Sequence, residues 1–273
     1  MTALTPGFSR SRPNGPRFAD HGLMSQLVPD EQAGLGRLAV RRAAVLTAVL
    51  VVATLLITGL VWAEWGPLQR LDDAVVVAAV AWTDGHPDLQ GPLNRIGVTS
   101  GKRNLWPLAA VVAAALVVAG RRYEGALVAL AVASTTVVTG GMKRVLTRER
   151  PEWYVPEDPM PTSSFPSGHV ALWVGFAVAL AIVLPLVLHR TLSRTRAWLL
   201  TAPMVALLVV VSVQRVLQGR HYPSDVLVGV LVGAGCALAS WVLIEVLLQL
   251  RSARQERPAD VTTAWDRPTP AAR

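Results

Sequence analysis

The chain of 273 residues is 52% hydrophobic and only 16% charged, with a mean hydropathy of +0.42, which excludes an ordinary soluble domain and points to bilayer-spanning segments. A formal net charge of +8 and a pI near 10.9 would suit nucleic acid, but the basic residues stand at the ends of apolar runs instead of forming one patch. No nucleic-acid partner is expected, and the cations are read as topology signals and as parts of an anion site.

Residues 1–36 are rich in Pro, Gly, Ser and Arg and carry no sustained periodicity, so a disordered N-terminal extension is expected. They contain no apolar run of the kind a cleaved leader needs, so the first span is expected to stay as an anchor. Residues 43–63 form an uncharged run of membrane-crossing length. Further spans are predicted at 105–119, 126–142, 170–188, 197–213 and 226–250, which makes six in all. Between the first two, "LDDAVVVAAVAW" (71–82) is too short to cross and starts with two aspartates, so an interfacial helix is expected. The expected fold class is all-α: an integral membrane bundle of six helices over residues 37–251, followed by a disordered tail at 252–273. The single cysteine, Cys236, falls in the last apolar run, where it suits a small buried residue and offers neither a disulfide nor a cysteine-rich metal site.

Three clusters carry chemistry: "KRVLTRERP" (143–151), "PSGH" (166–169) and "QRVLQGRHYPSD" (214–225). The first closes the third span, the second opens the fourth, and the third joins the fifth to the sixth, so all face one side of the membrane. Taken singly each has an ordinary explanation: snorkelling cations at a helix end, a turn with a cap, an interfacial histidine. His21, His86 and His189 are read in that ordinary way. Together the clusters supply cations, two histidines, one carboxylate and a glycine-containing helix start, which are the parts of a phosphate site. Lys143, Arg150 and Arg215 can donate to the equatorial oxygens of a transferring phosphoryl group. The backbone N–H groups of Ser167 and Gly168 can add the donors of a helix N-terminus.

A neutral imidazole can attack phosphorus while a second, protonated one supplies the leaving alkoxide with its proton. His221 is the nucleophile candidate, because Asp225 lies four residues on and can hold the far ring nitrogen as N–H. His169 is then the general acid. Pro223 suits the first turn of the last helix, and no carboxylate cluster suggests a metal, so no metal and no cofactor are expected.

These motifs resemble the type 2 phosphatidic acid phosphatase family, which is related to vanadium haloperoxidases. The family pattern K-x6-R-P, P-S-G-H and S-R-x5-H-x3-D is met by Lys143, Arg150 and Pro151, by Pro166, Ser167, Gly168 and His169, and by Arg215, His221 and Asp225. Gln214 departs from it, standing where the family usually has serine. The resemblance implies six membrane helices and metal-independent hydrolysis of a lipid phosphate through a phosphohistidine on His221, with His169 as proton donor. Phosphatidic acid or a related lipid phosphate is the leading substrate. A polyprenyl diphosphate of the cell-wall carrier type is the alternative, and a non-catalytic lipid-phosphate binder is the third reading. A haloperoxidase holding vanadate in the same pocket fits poorly with six spans. With the six cations of the clusters set aside, the Lys/Arg bias near span ends is eleven to four, which predicts a cell-membrane protein with cytoplasmic termini and the site outside. The small-residue stretch "GVLVGAG" (229–235) permits close packing and with it a homodimer.

Overall fold

The computed structural model describes residues 32–151, 163–188, 199 and 202–255. Every element of more than three residues is an α-helix: α1 Gln32–Trp62, α2 Gly66–Asp84, α3 Gln90–Thr99, α4 Lys102–Val118, α5 Arg122–Val145, α6 Gly168–Leu188, α7 Ala202–Leu217 and α8 Pro223–Gln255. No strand occurs among the described residues. Residues 1–31 and 256–273, which make up most of the two expected disordered segments, lie outside the described residues. So do His21 and His189. α1 begins at Gln32 and α8 ends at Gln255, so each helix runs a few residues past the expected domain limits.

By length and composition, Leu38–Trp62, Arg122–Val145, Gly168–Val187 and Pro223–Ala253 can each cross a bilayer. The helices of the second and fifth expected spans are shorter: α4 qualifies only when joined to α3 across a 47° bend, and α7 is a short apolar helix. The protein is therefore a multi-pass, all-helical membrane protein. Its core sits where α6 meets α5 and α8, around Trp173, Phe176, Leu127 and Val132.

Small residues set the distance between α6 and α8. A Cβ on Gly229 would lie 2.8 Å from the Ser167 carbonyl oxygen, and one on Gly233 would strike the Ala171 carbonyl oxygen. Two glycines of the 229–235 stretch are thus occupied within the chain, against α6, and the third faces Leu50 of α1. The sequence feature that suggested a homodimer is accounted for by intrachain packing.

The expected helix at 71–82 falls within α2, which is longer. Asp72 binds the start of α8, while Thr83 donates to the Leu217 carbonyl at 3.0 Å. These residues are eleven positions apart, about 16 Å of helix at 1.5 Å per residue. Both reach the connection between α7 and α8, so α2 lies along that end of the bundle.

Candidate active site

The end of the bundle where α5 finishes and α6 and α8 begin gathers all three clusters. Lys143 and Arg144 occupy the last turn of α5, where cations complement the helix dipole. Lys143 Nζ donates to the Ser163 carbonyl at 2.5 Å, which ties that helix end to the loop carrying Pro166–His169. α8 starts at Pro223, as the missing N–H of proline favours. The Ser167 N–H donates to the Asp225 carbonyl at 2.9 Å, joining the starts of α6 and α8. Arg150 Nη1 donates to the Arg220 carbonyl at 2.7 Å, joining the first cluster to the third.

His221 is 3% exposed. Its Nδ1 lies 3.4 Å from Asp225 Oδ2, the outer edge of hydrogen-bond range, and the Tyr222 N–H donates to the same oxygen at 2.9 Å. Burial is the largest influence on the ring and pushes its pKa down to about 4; Asp225 pulls the other way, and Arg150 and Lys143 push it down further. His221 is thus a neutral imidazole with a carboxylate beside Nδ1 and cationic charge acting on it. Charge from Arg215, His221, Arg220 and Arg150 reaches His169, so the two histidines lie within electrostatic range of each other and of these arginines.

The bent α3–α4 pair forms a wall of this site. A Cβ on Gly101 would lie 3.6 Å from His169 Nε2, and Trp173 Nε1 donates to the Ser100 carbonyl at 2.7 Å. Arg215 Nη2 donates to the Gly97 carbonyl at 3.0 Å. A Cβ on Gly97 would meet Gln214 Nε2 at 2.9 Å and Arg215 Nη2 at 3.0 Å, so a side chain there would displace the ends of these two side chains. Gln214, the departure from the family pattern, turns toward α3: its Nε2 donates to the Leu93 carbonyl at 3.0 Å and to the side chain of Gln218.

The structure changes the reading of Ser167. Its N–H, expected to serve an anion, is taken by the Asp225 carbonyl. The hydroxyl is buried without a hydrogen-bond partner, so the side chain is the donor this serine has to offer. Gly168 opens α6, where a first-turn N–H has no partner within the helix.

Sequence reasoning assigned no role to three residues that the structure ties to the site. Arg148, counted among the cations, is bound to two carboxylates: Nη1 donates to Asp225 Oδ1 and Nη2 to Asp72 Oδ2, each at 2.7 Å. Ser224 donates through its N–H to Asp72 Oδ1 at 3.0 Å and through its hydroxyl to Oδ2 at 2.5 Å. The one available signal was a pair of adjacent aspartates opening an apolar helix.

Beside the site, a cleft of about 480 Å³ opens between α1, α5 and α8. Met142 of α5 and Leu146, the residue after α5, flank Lys143 in sequence and line it, and Ala239 lines it on α8. The lining is almost wholly apolar.

Residues 124–248 match the family model described as the PAP2 superfamily. Among solved structures, the chain is similar to the first transmembrane PAP2 type phosphatidylglycerolphosphate phosphatase from Bacillus subtilis. The identity is 21%, the match covers 77% of this chain and 98% of that one, and the TM-score is 0.58. It is also similar to Aquifex aeolicus LpxE, at 24% identity over 57% of this chain and 86% of that one, with a TM-score of 0.44. No curated protein matches the chain.

Proposed function

We propose that this chain, whose residues 124–248 match the PAP2 superfamily model, is an integral-membrane lipid phosphatase acting on phosphatidic acid or a related lipid phosphate. The observation that carries the reading is the setting of His221: a buried, neutral imidazole with Asp225 beside Nδ1 and the charges of Lys143 and Arg150 acting on the ring. In the first step His221 Nε2 attacks phosphorus, the P–O ester bond breaks, and His169 gives its proton to the departing alkoxide. Asp225 keeps the proton on Nδ1 and stabilises the cation that the ring becomes. In the second step His169 takes a proton from water, whose oxygen attacks phosphorus; the P–N bond breaks and phosphate leaves. Lys143, Arg150, Arg215, the Ser167 hydroxyl and the Gly168 N–H supply donors to the phosphoryl oxygens, where negative charge is spread in the transition state. No residue in this scheme calls for a metal.

Membrane-length helices and the apolar cleft beside Lys143 support a lipid substrate, the cleft seating its hydrocarbon chain. The Lys/Arg bias supports cytoplasmic termini and an extracytoplasmic site.

The test is phosphate release by the detergent-purified chain in excess EDTA, with phosphatidic acid and a polyprenyl diphosphate offered separately beside a His221→Ala control. Turnover by the wild type that the variant lacks is the expected result, and the preferred substrate decides between monoester and diphosphate. Lipid binding without turnover by the wild type would support a non-catalytic binder instead.

A further inference from the structure

We propose that Asp72 is a positioning residue for the His221–Asp225 pair, acting through Arg148 and Ser224. The inference rests on the reaction proposed above, with His221 as nucleophile. Asp72 belongs to α2, outside the family-matched residues 124–248. It is 1% exposed, and a buried carboxylate needs partners that repay its desolvation. Both of its oxygens are engaged. Oδ1 accepts the Ser224 N–H at 3.0 Å, a first-turn donor of α8 that has no partner within its own helix. Oδ2 accepts Arg148 Nη2 at 2.7 Å and the Ser224 hydroxyl at 2.5 Å.

Arg148 transmits this hold to the pair. Its guanidinium fork places one arm on Asp72 and the other, Nη1, on Asp225 Oδ1 at 2.7 Å and Ser224 Oγ at 2.8 Å. The guanidinium carbon lies 4.0 Å from the centroid of the Tyr222 ring, which limits its tilt. With Oδ1 held by Arg148, Asp225 presents Oδ2 to His221 Nδ1. Asp72 therefore sets which way the Asp225 carboxylate faces and, through it, which nitrogen of His221 keeps the proton. It also balances charge. Without the second carboxylate, Arg148 would act on Asp225 alone and weaken its support of the histidine cation formed on attack. Neither Asp72 nor Arg148 is placed among the phosphate donors, so the effect falls on the chemical steps more than on substrate binding.

The test compares kcat and KM of the full-length detergent-purified wild type with Asp72→Asn, Asp72→Glu, Asp225→Asn and the double variant Asp72→Asn/Asp225→Asn. Asp72→Asn is expected to lower kcat by roughly 10- to 100-fold, with KM within about twofold of wild type, and Asp72→Glu to recover part of the loss. Once Asp225 is gone, Asp72→Asn should have no further effect, because the two act in series. Proportional losses in both backgrounds would overturn the inference and leave Asp72 as a brace between α2 and α8. If Asp72→Asn does not fold, Arg148→Lys, which keeps a charge but gives up the fork, carries the same comparison with Asp225→Asn.

The ring of His221, observed by nitrogen NMR of 15N-histidine-labelled protein, gives a readout independent of turnover. The wild type should show the Nδ1–H tautomer and Asp72→Asn a smaller share of it; an unchanged tautomer would overturn the inference. A wild type that releases no phosphate overturns the proposed reaction, and the tautomer still decides the role of Asp72.

Discussion

At His221, the proposed nucleophile, burial is the main influence on protonation. An ordinary histidine has a pKa of about 6.5, whereas burial brings this one down to about 4. The ring should therefore stay neutral across the pH range where an exposed histidine titrates, and an NMR titration should place its midpoint near the lower value. The sign for stability follows. Between about pH 6.5 and pH 4 the unfolded chain takes up a proton that folded His221 refuses. This residue's contribution to stability is thus fully present above that window and is lost as pH falls through it. Thermal melts in detergent should show an acid-side loss of stability that is reduced in His221→Gln. A midpoint near the ordinary value would show that the ring is wetter than the structure has it.

Two helix contacts govern how the elements serve the site. α6 and α8 approach closely enough that a side chain on Gly233 would press on the Ala171 carbonyl, the Gly175 nitrogen at 2.9 Å and Val174 Cβ at 2.9 Å. Backbone atoms cannot swing aside as a flexible side chain can. Gly233→Val should therefore destabilise the protein by ~1–3 kcal/mol, the usual cost of overpacking, and lower its melting temperature in detergent. Because α6 and α8 also carry His169 and Asp225, activity should fall with it. The apolar cleft between α1, α5 and α8 makes a different prediction. Ala239 lines it well away from the chemistry, so Ala239→Phe should raise KM for a long-chain lipid phosphate and leave a short-chain, water-soluble analogue unaffected. Equal effects on both substrates would mean that the chain lies elsewhere.

For the whole molecule, the central question is which way the bundle faces. The turn between α2 and α3 lies at the site end, because both helices bond to the end of α7, and Asp88 in that turn is exposed. Arg122, exposed at the start of α5, marks the opposite end. In a Cys236→Ser background, Asp88→Cys should react with a membrane-impermeant thiol reagent on intact cells, and Arg122→Cys only after permeabilisation. The reverse pattern would place the site in the cytoplasm.

The sequence by itself determined the class of molecule and the set of residues from which the proposed chemistry is built. Membrane spans are legible because a bilayer demands long apolar runs whatever their neighbours. Lys143, His169, His221 and Asp225 are legible because phosphate chemistry restricts residue type and spacing, and span parity brings their clusters to one face. The tertiary structure decided what depends on contacts between segments far apart in the chain. Asp72 looks like one half of an acidic pair until α2 lies against the start of α8. Arg148 resembles its neighbouring cations until two carboxylates close on its fork. Gln214 departs from a motif, but its role is set by α3, whose Leu93 carbonyl it binds. The N–H of Ser167 was assigned to an anion because a helix start alone cannot reveal that another helix's carbonyl lies opposite. Local pattern records which groups are present, whereas which of them are already engaged is a property of the packed chain.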